Sequence, residues 1–297
     1  MARFIYSVIL PVSKRTVQLT EFTFTKLKDL VKNITNENND IILLSFNDII
    51  KEHCTDNVDD LTVIDKLYIL LTIRSVCVSP VLELIITCPK TKKQFNGTIN
   101  ISNILNTLYS FQYEQKEISY QNNLKVTYNL PKSLYINQNA MDASETIINC
   151  ISLGDSRFYD ITAEAINKLP AVVLNDVKTY ANNTFLALKE LELINLPSPF
   201  SRDKEDATII TANVFDNSVL EFLKLCFNRD LMSFYKTEYF LMKQFRMNYE
   251  TMSNLTPVEI NLYINLYKEE QAEQEKAEKQ SSSPQNGPNI GQFKPVA

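Results

Sequence analysis

A histidine beside a cysteine is the pairing from which a thiolate nucleophile is made, and His53-Cys54 is where this chain would first be searched for chemistry. His53 is its single imidazole, so no second His stands by as a base. The pair falls near the end of a helix predicted from Ile41 to His53, where neighbouring side chains point about 100° apart. A His there is favoured by the negative end of the helix dipole. The preferred reading is a helix-terminal His, with a Cys/His-dependent enzyme as the alternative. Cys77 and Cys88 are the next candidates, because Cys88-Pro89 opens a turn like one half of a zinc knuckle. The chain continues Lys90-Thr91-Lys92-Lys93 without the second cysteine, whereas structural zinc takes four S or N ligands in closely spaced pairs. No metal is expected.

The basic groups Lys26, Lys28, Lys32 and Lys90, Lys92, Lys93 read as solvated helix and turn faces. The carboxylates Asp59-Asp60 and Asp203, Glu205-Asp206 sit among polar loop residues with nothing to raise a pKa. Of four glycines, Gly287 and Gly291 lie near the C-terminus, and Gly97 with Gly154 cannot build a phosphate-cradling loop. Neither a catalytic residue, a cofactor nor a small-molecule substrate is therefore expected.

Composition narrows the class further. The 297 residues are 44% hydrophobic, 22% charged and 10% aromatic, which excludes a wholly disordered, collagenous or multi-span membrane chain. A net charge of -5 supplies no field for a polyphosphate backbone, so nucleic acid is not an expected partner. The five cysteines, Cys54, Cys77, Cys88, Cys150 and Cys226, are odd in number and scattered, as reduced thiols are. The opening apolar run stops at Pro11, too short for a signal segment or a membrane span, and a cytoplasmic origin is expected.

The order of elements predicts an α+β fold. Phe4 to Ile9 and Thr16 to Thr20 alternate around a Pro11 turn as a β-hairpin. Helices follow at Phe24 to Lys32, at Ile41 to His53 with Asp40 as N-cap, and at Val63 to Val76. Val81 to Thr87 and Gln94 to Ile99 form a second hairpin, with further strands at Ile118 to Tyr120 and Leu124 to Leu130. Residues 1–135 thus make an N-terminal domain of β-hairpins with packed helices. Residues 143–280 make a mostly α-helical C-terminal domain, with helical stretches at 143–153, 160–193, 215–248 and 256–279 and a break near Leu169 before Pro170. Residues 204–214 contain a weak strand signal. Residues 281–297 are polar and Pro/Gly-bearing, a disordered tail.

The C-terminal third is dense in aromatics. Phe234, Tyr235, Tyr239, Tyr263 and Tyr267 suit either a helical core or a face that docks on another protein, and they are the candidate partner-binding residues. Asn254-Leu255-Thr256-Pro257-Val258-Glu259 starts a helix with a capping box. Its face Ile260, Tyr263, Ile264, Tyr267 gives way to a charged run from Lys268 to Lys279.

Three stretches carry a family resemblance: Leu10-Pro11-Val12-Ser13-Lys14-Arg15-Thr16-Val17, then Ile49-Ile50-Lys51-Glu52-His53-Cys54, and Leu61 to Val76 followed by the Cys88-Pro89 hairpin. In this order they resemble the baseplate hub and hub-assembly proteins of T4-type contractile-tailed bacteriophages. The segment Met252 to Glu259 is similar to the closing helix of such tail-assembly proteins. The resemblance implies a non-enzymatic protein made in the infected host cytoplasm and located at the tail baseplate. It would be a hub subunit, or a transient assembly chaperone absent from the mature virion. Its partners would be other hub and tail proteins, with no membrane and no nucleic acid. It carries over no catalytic residue, and Cys88 stands alone where some relatives are expected to hold two cysteines.

Overall fold

The computed structural model describes residues 5–88, 90–113, 115–120, 125–136, 151–153, 169–200 and 207–281. The chain is α+β, with short hairpins concentrated in its first half and helices in its last third. β1 (Ile5–Ile9) pairs antiparallel with β2 (Thr16–Thr20), Ser7 opposite Gln18. α1 (Phe24–Thr35) starts at Thr23, whose side chain accepts the Lys26 N–H, and it buries Leu27, Leu30, Val31 and Ile34 along one stripe. α2 spans Asn39–His53 and α3 spans Val63–Cys77. The expected N-cap of α2 is corrected: Asn38, not Asp40, accepts the N–H groups of Asp40 and Ile41. Asp40 instead lies in the first turn, where its charge meets the positive end of the dipole.

α3 is buried almost all round, which is why its apolar residues recur at mixed spacings and not on a single stripe. β3 (Val81–Thr87) and β4 (Gln94–Asn100) form the second hairpin, as the alternation required. Gly97 of β4 lets Leu196 approach closely, since a Cβ there would lie 2.9 Å from the Leu196 Cδ1. α4 (Ile101–Ser110) follows without a loop and is a helix the strand reading did not anticipate. Its signal was present in Ile101, Ile104 and Leu108, all buried on one face.

β5 (Lys116–Ser119), β6 (Lys125–Tyr128) and β7 (Ile151–Leu153) make a three-stranded antiparallel sheet. The helix expected over 143–153 is therefore corrected at its end, where pairing with the edge of β6 wins over helical periodicity. The rest of that stretch, residues 160–168, the boundary between 135 and 143, and the tail from 282 lie outside the described residues. α5 (Ala171–Glu190) begins directly after Pro170, which occupies its N-cap. The helix expected to run to 193 gives way at β8 (Glu192–Leu196), which pairs with β9 (Thr208–Thr211). The strand signal in 204–214 is thus real.

The stretch 215–248 divides into α6 (Ser218–Phe227) and α7 (Leu231–Phe245), because Asp230 caps a new helix by accepting the Met232 N–H. A short α8 (Tyr249–Ser253) leads to α9 (Pro257–Ser281). The capping box forms as read: Glu259 accepts from the Thr256 N–H at 2.7 Å, and Thr256 Oγ1 accepts from the Glu259 N–H at 3.2 Å.

One buried cluster runs from Leu10 to Ile260, drawing on both halves of the chain. The Phe227 ring of α6 packs against Phe22 and Phe46, with centroids 6.2 and 5.6 Å away, and Phe234 of α7 lies 5.1 Å from Phe24. Backbone bonds repeat the connection, Phe24 N–H to the Leu255 carbonyl and Ile136 N–H to that of Val214. Arg74 of α3 is buried and donates from Nε to the Cys226 carbonyl at 2.7 Å, satisfying an orphan acceptor at the end of α6. Its guanidinium also donates to the Ser79 carbonyl. A smaller cluster of Val126, Tyr128, Val173 and Val177 joins β6 to α5.

Candidate functional site

Among the described residues, the imidazole and thiols that sequence considered for chemistry have structural occupations. His53 is 4% exposed; its Nδ1 shares a hydrogen bond with Thr20 Oγ1 at 3.2 Å, and its ring meets Phe22 edge-on at 5.4 Å. Cys54 caps α2 and bridges Leu19, and burial pushes its thiol up, away from the thiolate a nucleophile needs. Burial likewise raises Cys77, whose Sγ accepts the Phe22 N–H, and pushes Cys226 up to about 12. Of the described thiols Cys88 alone moves the other way. Hydrogen bonds from Ser198 and Thr91 pull it to about 7, inside the β3–β4 turn where it is enclosed. Cys77 and Cys88 thus serve different contacts, and among the described residues no group of three His, Cys, Asp or Glu side chains is placed to hold a metal.

The lysines of α1 are engaged with carboxylates, whereas Lys93 of the β3–β4 turn lies 5.6 Å from the Phe200 ring centroid. Lys26 meets Glu52 at 2.6 Å and Lys32 meets Asp29 at 2.8 Å, both on the surface. Asp60 pairs with Arg15 at 3.0 Å, and Lys51 lies 3.8 Å from Asp59. Lys28 is different: it reaches across from α1 to Glu238 of α7, 2.6 and 2.8 Å from its two oxygens, with both residues buried. The exposed Tyr235 ring covers the ammonium at 4.0 Å. Asp65 is fully buried near the start of α3, where it accepts the Val12 N–H at 2.9 Å and the Ser13 N–H at 3.2 Å. It thereby pins the first hairpin turn to α3, giving the Pro11-Val12-Ser13 stretch a structural reason. Burial raises its pKa against those hydrogen bonds.

A tyrosine network went unread in the sequence. Tyr120 donates to Asp176 Oδ2 at 2.7 Å and shares a hydrogen bond with the Tyr128 hydroxyl, while Tyr113 donates to the Tyr128 carbonyl. Burial raises the Tyr120 and Tyr128 phenols, so they act as neutral hydrogen-bond partners that tie α5 to the sheet.

Lys66 carries a pH signature. It is partly buried beside Lys132, and desolvation first, then that like charge, lower its pKa to about 8, with Lys51 adding to the effect and Asp59 opposing it. The folded state therefore binds fewer protons than the unfolded chain between about pH 8 and the ordinary 10.5, and this group's contribution to stability rises with pH across that window. Lys66→Met should stabilise the protein by on the order of 1–2 kcal/mol at pH 7, with the gain vanishing towards pH 10.5. Urea titrations of both proteins at pH 7 and 10 measure that difference, and a pH-independent gain would contradict it.

The proposed partner-binding residues fall into three settings. Phe234 is a core residue, 2% exposed. Tyr235 and Tyr239 stand out from α7, 46% and 63% exposed. Tyr263 and Tyr267 of α9 meet Phe245 edge-to-face at 5.6 and 6.0 Å, and Tyr267 also meets Phe240 so at 5.1 Å, closing an aromatic seam between α7 and α9. Sequence reasoning missed the other face of α9. Val258, Leu262 and Leu266, spaced by four, are 43%, 59% and 52% exposed, and the spacing itself was the available signal. From Lys268 to Ala277 every residue of α9 is exposed.

Among the described residues the arrangement combines buried thiols, α1 lysines paired with carboxylates, and apolar side chains displayed on two helices. Residues 1–197 match the model of the family described as T4 bacteriophage base plate protein, and the chain belongs to that family. It is a structural component of a phage tail baseplate, and its interactions are with other phage tail or baseplate proteins. Neither the curated proteins nor the solved structures contain a match. Among the described residues no helix is long and apolar enough to cross a membrane.

Proposed function

We propose that this baseplate protein works at the hub, as a hub subunit or hub-assembly factor that docks on other hub and tail proteins through α7 and α9. The observation that supports this reading most is the display of Val258, Leu262 and Leu266 on α9 and, on a separate face, of Tyr235, Tyr239 and Met242 on α7. Large exposed apolar and aromatic side chains on rigid helices are what docking uses. The family match stops at residue 197, so both helices lie beyond it. They are the natural carriers of whatever distinguishes this chain's partners. The solvent-exposed run Lys268 to Ala277 also suits a transient assembly chaperone, which leaves once the hub is built.

Quantitative mass spectrometry of purified virions and of tail-assembly intermediates separates the two. A small fixed copy number in finished particles is expected for a hub subunit. Presence in intermediates alone would assign the chaperone role. Absence from both would overturn the proposal.

A further inference from the structure

Among the described residues β1 has one edge in use and one open. Its inner edge pairs with β2, and the far edge of β2 is covered in turn, by the Leu19–Cys54 bridge and by the Thr55 N–H donating to the Gln18 carbonyl at 3.0 Å. Among the described residues no strand or bridge meets the outer edge of β1. The ladder phase says which groups that edge presents. The Leu10 N–H donates to the Arg15 carbonyl, so the hydrogen-bonded pairs of the hairpin fall on Leu10, Val8 and Tyr6. The N–H and C=O groups of Ile5, Ser7 and Ile9 therefore point outward. Their side chains are also exposed, Ile5 by 51% and Ile9 by 49%.

Natural edges are normally guarded by charge or proline, because an unguarded strand invites pairing. β3 keeps such a guard, with Glu83 exposed as its third residue. β1 reads Ile-Tyr-Ser-Val-Ile, without a charged residue and nearly palindromic about Ser7. We infer that β1 pairs antiparallel with β1 of a second copy of this chain, joining two hairpins into one four-stranded sheet about a two-fold axis through Ser7.

The register is self-consistent. Ile5 faces Ile9 of the second copy, Ser7 faces Ser7, and Ile9 faces Ile5, so all the outward-pointing backbone groups find partners. On the exposed face each Ile5 covers an Ile9 across the seam, and on the other Tyr6 lies opposite Val8. An isologous contact of this kind closes as a dimer and leaves no edge on β1.

Sedimentation of the full chain across a concentration series tests the pairing, with Ser7→Lys as the disrupting variant. Ser7 is exposed and its backbone groups are not used within the hairpin, so the fold should persist while two ammonium groups meet at the axis. The wild-type protein should sediment as a dimer whose melting temperature rises with concentration, and Ser7→Lys as a monomer whose melting curve is independent of concentration and matches that of the wild type at high dilution. Ser7→Cys should give a disulfide-linked dimer on mild oxidation, because Cα atoms of such a pair lie about 5.5 Å apart. Gln18→Cys, exposed on β2, should not. A dimer that survives Ser7→Lys, or a wild-type monomer at every concentration, would overturn the inference. So would a monomeric wild type whose Ser7→Lys variant fails only to enter tails, which would assign the edge to a strand of another tail protein.

Discussion

Glu238→Ala should destabilise the protein by about 3–5 kcal/mol, a large share of the ~5–15 kcal/mol that holds a typical domain together. The reason is the Lys28 ammonium, buried between α1 and α7 with Glu238 as its counter-charge. Truncation leaves that charge desolvated, with only the Tyr235 ring over it at 4.0 Å. Replacing both partners by apolar residues of similar volume, Lys28→Met with Glu238→Leu, should restore stability to near the wild type, since a buried pair gains little over well-packed hydrocarbon. Urea midpoints at constant slope measure both effects. A loss below about 1 kcal/mol for the single variant would show that water reaches the pair.

That ion pair marks the limit of what a single sequence conveys. The partners are 210 positions apart, and Lys28 was indistinguishable from Lys26 and Lys32, which sit on the same helix but make surface pairs. Local patterns fared better. The two first hairpins, α1 to α3 and the Thr256–Glu259 capping box follow from alternation, helical spacing and caps, each set by neighbours within four residues. The misjudged elements are those that pairing decides. Ile151–Leu153 is a strand because β6 offers an edge, and Glu192–Leu196 because β9 does, although both segments are apolar enough for a helix. Among the proposed partner-binding residues, Tyr235 and Tyr239 are exposed, while Phe234, one residue away from Tyr235, turns into the core against Phe24. Aromatic content announced the region. Which residue faces inward depended on the position of α1, invisible to periodicity on a helix apolar on several sides.

Phe227→Ala should be as damaging as the broken ion pair, about 3–5 kcal/mol, because the ring is 1% exposed and wedged between Phe22 and Phe46. The position of the loss matters as much as its size. Phe22 precedes α1, Phe46 lies on α2 and Phe227 ends α6, so the cavity would open where the first and last thirds of the chain share their core. Arg74 crosses the same boundary to the Cys226 carbonyl next door, and cannot follow the backbone without losing its acceptor. Calorimetry of the wild type should therefore show α1 to α3 melting together with α6 and α7 in one transition, and Phe227→Ala should lower that transition as a unit. If residues 1–135 and 143–280 were independently stable domains, the variant would instead split the melt, leaving the hairpin-and-helix segment at its original temperature. A unified melt would mean that a partner gripping α7 or α9 is mechanically coupled to the first hairpin through a single close-packed core.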